Sequence, residues 1–198
     1  MAKKDNRTPF GPIRGTLDGY VHRNYARRGI SQVYRKPRTP ETWSAGTLET
    51  RSAFARADAY FKSIKDDADL IARYRKAGRR LGLNCRQRAM RDCFRPPRID
   101  TVDLSDYRVA SGGPIVIHAV DDFEVTRVTV SLDDAQGGLI AQGDAVHQLG
   151  AWLFTAPPLS PGFPSPTHVL VTAYDRPGNS TMRKVNLPAE QPTDRPPA

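Results

Sequence analysis

Residues 168–179 read HVLVTAYDRPGN. Val169, Val171 and Ala173 alternate with His168, Leu170, Thr172 and Tyr174. Period two is the mark of a strand that buries one face. The stretch then changes character. In AYDRPGN (Ala173 to Asn179) the Asp175 side chain is placed to accept hydrogen bonds from amides of its own turn. Gly178 and Asn179 tolerate left-handed backbone. A strand running into a hairpin turn is the reading, and the same pattern extends in both directions. Strands are predicted over Asp100–Leu104, Pro114–Val120, Thr126–Leu132, Gly138–Gln142, Ala151–Ala156, Thr167–Tyr174 and Met182–Leu187. Short strands spaced by Gly, Pro and Asp turns define an antiparallel sandwich.

The order IVIHAVDDFEVTRVTVSLDDAQG, then WLFTAP, then HVLVTAYDRPGNST resembles bacterial immunoglobulin-like (Big-type) domains. In those domains a strand ends in Ala-x-Asp and a short loop leads to a Val-x-x-Val-x-Val strand. A Trp-x-aromatic strand follows, and an A-x-D-x-x-G-N hairpin closes the domain. The matching positions are Ala119 to Asp122, Val125 to Leu132, Trp152 to Phe154, and Ala173, Asp175, Gly178 and Asn179. The likeness covers residues 115–187 and departs from the pattern in the proline-rich insert APPLSPGFPSPTH (Ala156 to His168). The whole chain is also similar to a bacterial family that joins a glycine-spaced hairpin and basic helices to one immunoglobulin-like domain. RSAFARADAYFK and RAMRDCFRPPRIDTVDLSDY carry that likeness, which implies no activity.

Upstream of the strands the period changes. IRGTLDGYVHRN (Ile13 to Asn24) and GISQVYRK (Gly29 to Lys36), joined through Gly29, predict a β-hairpin over 13–36. On its first strand Ile13, Gly15, Leu17, Gly19 and Val21 would share a face. After the proline-punctuated KPRTPETW, Ser44 or Thr47 caps a helix running to Ile64. A second helix is predicted over Ala68–Leu81 and a third over Cys85–Phe94, stopped by RPP. The fold class expected is α+β. Residues 1–9 form a disordered start, 10–97 a basic hairpin-helical domain, 98–188 the sandwich and 189–198 a disordered proline-rich tail.

Charge divides the chain in the same place. Residues 1–100 hold 24 basic and 10 acidic side chains, and residues 101–198 hold 6 and 11. Most of the basic residues of the first half are arginine, whose fork suits phosphate and carboxylate and stacks on flat rings. A solvated basic face reads equally well. On the hairpin, Tyr20, Arg23, Tyr25, Arg27, Arg28, Tyr34 and Arg35 interleave aromatic and cationic groups. Such a surface serves a protein interface or stacks bases, or it caps the chain's own helices. Arg75, Arg79 and Arg86 extend it onto the helices. The turn at 82–84 has the length of a helix-turn-helix, but only Gln87 offers a base-reading side chain near the start of the third helix.

Catalytic chemistry has no sequence signature here. His22, His118, His147 and His168 stand at no metal spacing, and no nucleophile elbow, phosphate loop or dinucleotide fingerprint is present. Asp121, Asp122 and Asp175 are weak calcium candidates set against a turn-forming role. Cys85 and Cys93 lie about 12 Å apart along one helix, too far to bridge. No apolar leader or membrane-length run occurs, which predicts a cytoplasmic protein or one exported without a Sec signal, and no membrane insertion. The expectation is a non-enzymatic structural protein without cofactor that assembles with itself, with nucleic-acid binding as the alternative.

Overall fold

The computed structural model describes residues 15–25, 30–36, 42–159 and 164–187. The expected disordered ends, Arg27, Arg28 and most of the turn between the hairpin strands lie outside the described residues. The fold is mixed α+β, with three helices and three antiparallel sheets. It divides into two units, residues 1–48 and 49–198. The sequence boundary near 97 falls inside the second.

The first unit holds a three-stranded sheet rather than a plain hairpin. Its strands are β1 (Gly15–Leu17), β2 (Tyr20–Tyr25) and β3 (Ile30–Arg35), in the order β1-β2-β3. The predicted single strand over 13–24 is broken by Asp18-Gly19. Leu17 pairs with Tyr20 across a two-residue turn, with φ of 49° at Asp18 and 78° at Gly19. Positive φ at both central residues matches the right-handed twist of paired strands, and Asp-Gly meets it at least cost. The face expected to join Gly15 and Leu17 to Gly19 and Val21 therefore does not form. Instead the register places Leu17, Tyr20, His22, Val33 and Arg35 on one face, and Val21, Arg23, Gln32 and Tyr34 on the other.

Three helices follow: α1 (Ala45–Ile64), α2 (Ala68–Arg79) and α3 (Cys85–Cys93). Each starts on a side-chain cap. Ser44 Oγ accepts from Thr47 N at 3.3 Å, and Asp67 Oδ1 from Leu70 N at 2.9 Å. Asn84 and Gln87 form a reciprocal capping box, at 2.9 and 3.0 Å. Gln87, the one base-reading candidate, is thus engaged at the start of its own helix. An Asn84→Ala variant loses about 1 kcal/mol of stability in a urea titration, because the Gln87 amide loses its side-chain acceptor.

Two four-stranded sheets complete the second unit. One has the order β4-β5-β9-β8, from β4 (Arg98–Asp103), β5 (Gly113–Val120), β8 (Val146–Gln148) and β9 (Ala151–Ala156). The other has the order β11-β10-β6-β7, from β6 (Val125–Asp133), β7 (Leu139–Asp144), β10 (His168–Asp175) and β11 (Ser180–Asn186). β8 was not expected from sequence; it is three residues long and fully exposed. The core joins inward residues of both sheets: Ile115, Ile117 and Phe154 from one, Val128, Val130, Leu132, Val169, Val171 and Ala173 from the other. Each such side chain contributes about 1.5–3 kcal/mol when fully buried. Alternation along β10 is complete, with Val169, Val171, Ala173 and Asp175 buried and the intervening residues half-buried. A second, smaller cluster of Leu70, Tyr74 and Ala89 sits among the helices, with Tyr60, Phe61, Ile64 and Phe123 against it.

Candidate functional site

Phe123 belongs to the four-residue stretch DDFE (Asp121 to Glu124) between β5 and β6, yet it packs in the helical cluster. Its ring stacks on Tyr74, with centroids 4.0 Å apart and planes 16° from parallel. The Arg73 and Arg88 guanidiniums lie 5.3 and 5.4 Å from its centroid. The stretch is shaped from within by Asp121, whose Oδ2 accepts from Phe123 N and Glu124 N at 2.7 and 2.9 Å. It is held from without by arginines. Arg88 Nη2 donates to the Asp122 carbonyl, and Arg91 Nε to Asp122 Oδ2 at 2.9 Å. Glu124 Oε2 receives Arg73 at 2.9 Å and, from the β10–β11 turn, Arg176 at 2.8 Å. Burial pushes the Glu124 carboxyl up, but Arg176 and Arg73 outweigh it and hold the group below its ordinary range.

Beneath this clamp is a buried polar chain. Tyr60 and Tyr74 share a hydroxyl hydrogen bond at 2.8 Å, and Tyr74 donates to Asp92 Oδ2 at 2.7 Å. Asp92 and Arg88 are both buried, one helical turn apart on α3, with Nη1 and Oδ1 3.7 Å from each other. Burial first, then the nearby Asp121 and Asp175 carboxylates, raise Asp92 to about 7 against the opposing Tyr74 hydrogen bond and Arg88 charge. Burial and Asp92 likewise push the Cys93 thiol up to about 12. The arrangement ties α2 and α3 to the DDFE stretch.

The outer side of α2 is different. Arg73, Lys76 and Arg80 follow the i, i+3, i+7 spacing of one helix face. Together with Leu81, Phe123 and Arg88 they line an open groove of about 510 Å³. Asp122 is the one carboxylate lining it.

Of the surface expected from sequence, Tyr20 and Tyr34 are exposed and Arg23 lies 5.5 Å over the Tyr34 ring. Arg35 is exposed on the opposite face from Arg23. Tyr25 is described as backbone of β2 alone. On the helices, Arg75 and Arg79 are exposed but do not line the groove. Arg86 is paired with Asp58, whose carboxyl Lys62 and Arg86 hold below its ordinary range. The three calcium candidates do not converge. Asp121 shapes its loop, Asp122 pairs with Arg88 and Arg91, and Asp175 accepts from Asn179 N and Nδ2, each at 2.6 Å. Among the described residues no group of three His, Cys, Asp or Glu is placed to hold a metal ion. The turn-forming reading of Asp175 is met by that geometry, with Gly178 at φ 93° supplying the left-handed position. No described helix is long and apolar enough to cross a membrane.

The partnership of DDFE with α2 and α3 was the main feature missed. Its members lie about 30–50 positions apart in sequence, and only the run of two aspartates, an aromatic and a glutamate between two strand patterns hinted at it. No family model matches the chain, and no match appears among curated proteins or solved structures.

Proposed function

We propose that this chain is a non-enzymatic structural protein that assembles with copies of itself through the β1–β3 sheet and the basic half of the chain. The observation that carries the proposal is a set of exposed apolar side chains on the described sheet. Leu17 is 52% exposed, Tyr20 48% and Val33 59%, all on one face, with Tyr34 exposed on the other. No described residue of 15–36 is buried. A small sheet is marginal in water until a face is covered, and its edge strands offer unpaired backbone groups. Covering Leu17, Tyr20 and Val33 contributes about 1.5–3 kcal/mol each.

A second copy suits this surface because the halves of the chain carry opposite charge, +14 over residues 1–100 and −5 over 101–198. Opposite potentials steer such halves together. A contact between two different patches repeats from copy to copy and grows into a filament when the rotation does not close. The strand orders β4-β5-β9-β8 and β11-β10-β6-β7 support an immunoglobulin-like sandwich as the second part of the repeating body.

Light scattering on size-exclusion fractions of the full chain tests the proposal. Species larger than one chain are expected, and Val33→Asp is expected to weaken self-association by at least about tenfold. Its exposure makes an effect on the fold of a single copy small, within about 0.5 kcal/mol. A monomer at high concentration overturns the proposal. The second reading, nucleic-acid binding, is favoured by the Arg23–Tyr34 cation–π contact, with Arg35 and Tyr20 exposed on the opposite face of the same sheet. Assembly that appears only when an oligonucleotide is added supports it over protein-only polymerisation.

A further inference from the structure

From the α2 groove we infer a binding site for phosphoryl groups, an inference that does not rest on self-assembly through the β1–β3 sheet. The groove is walled by Arg73, Lys76 and Arg80 on one helical stripe. Like charges three and four residues apart on a helix repel one another, by a few tenths of a kcal/mol per pair. On α3, by contrast, Arg86 is neutralised by Asp58 and Arg91 by Asp122. Within the groove, Arg73 is answered by Glu124, but the Lys76 and Arg80 side chains have neither hydrogen bond nor ion pair among the described residues. Two adjacent cations are thus left without a counter-charge at a concave site.

The floor adds a second, independent observation. Arg88 borders the groove yet is 2% exposed, and its Nε and Nη1 make no hydrogen bond. Its nearest carboxylate oxygens stand at 3.4 Å on Asp122 and 3.7 Å on Asp92. The Arg88 charge is shared with Asp122 and Asp92, but its Nε and Nη1 keep donor capacity that the fold leaves unused. Asp122 and Glu124 are the facing carboxylates, and both are already shared between two arginines each.

A phosphoryl group fits this arrangement. It carries more than one negative oxygen, so it accepts from Lys76 and Arg80 together while the Arg88 guanidinium borders the site from below. The volume is within the range of small-molecule pockets and admits a nucleotide-sized ligand. The same chemistry is presented by free phosphate, by a nucleoside monophosphate and by a nucleic-acid backbone.

Calorimetric titration of the full chain at low and at moderate salt tests the inference. The probes are inorganic phosphate, adenosine monophosphate, a twelve-residue oligothymidylate and an octaglutamate peptide. Binding of at least one phosphate-bearing probe is expected at low salt and weakening as salt rises. Lys76→Gln combined with Arg80→Gln is expected to reduce that binding about tenfold, equivalent to about 1.4 kcal/mol, with unchanged melting temperature and circular dichroism. Preference for the oligonucleotide over the monophosphate assigns the site to a nucleic-acid backbone, and the reverse assigns it to a free phosphate ester. No binding of any phosphate-bearing probe overturns the inference. So does unaltered affinity in the double variant, or octaglutamate binding as tight as the phosphate probes.

Discussion

Tyr74→Ala is expected to destabilise the second unit by about 3–5 kcal/mol, the range for truncating a large buried aromatic. It lowers the melting temperature on the order of 10 °C. The ring is fully buried and stacks on Phe123, so its loss opens a cavity where the helices meet the DDFE stretch. Its hydroxyl links Tyr60 to Asp92, so both lose a partner as well. Tyr74→Phe separates the two contributions. The stack is kept and the hydroxyl alone is lost, at about 1–3 kcal/mol for the buried groups left unpaired. Thermal melts of the three proteins distinguish them, and an alanine variant that melts with the parent contradicts the packing.

The chain is expected to be more stable at pH 5 than at pH 7.5 by about 2 kcal/mol in urea titrations, with Asp92 as the cause. In the folded protein Asp92 titrates near 7, while its ordinary value is 3.8. The folded state therefore holds a proton that the unfolded chain releases, and stability falls as pH rises from about 4 to about 7. The steepest slope from one group is about 1.4 kcal/mol per pH unit. Asp175, raised chiefly by its burial, acts in the same direction. Glu124 acts oppositely, since its lowered value contributes stability that is lost only as pH falls below the ordinary glutamate range. Asp92→Asn keeps an acceptor for Tyr74 and is expected to flatten the profile. A parent protein that is as stable at pH 7.5 as at pH 5 shows instead that the Arg88–Asp92 pair is fully ionised in the fold.

The strands of the second unit were legible in the sequence because a half-buried strand writes its environment into every second residue, as Val169, Val171 and Ala173 do. Helix starts were legible for the same local reason, in Ser44, Asp67 and Asn84. Asp18-Gly19 is also a local signal, but the glycines of that stretch also fit a period of two, and the run was read as one strand. Non-local chemistry left no such trace. The partners of Phe123 are fixed by where α2 and α3 lie against the loop. Choosing Arg75 and Arg79 over Arg73, Lys76 and Arg80 was a matter of which helical stripe borders the groove, and composition is blind to that.

The DDFE clamp also determines how load passes through the second unit. Arginines from α2, α3 and the β10–β11 turn grip four residues that lead straight into β6, a central strand of its sheet. Tension applied at the helices reaches that sheet through several charged contacts in parallel rather than through one flexible tether. A fragment begun at Arg98 would leave Phe123 bare and Asp122 without its guanidiniums, so the sheets and the helices are expected to yield together under pulling.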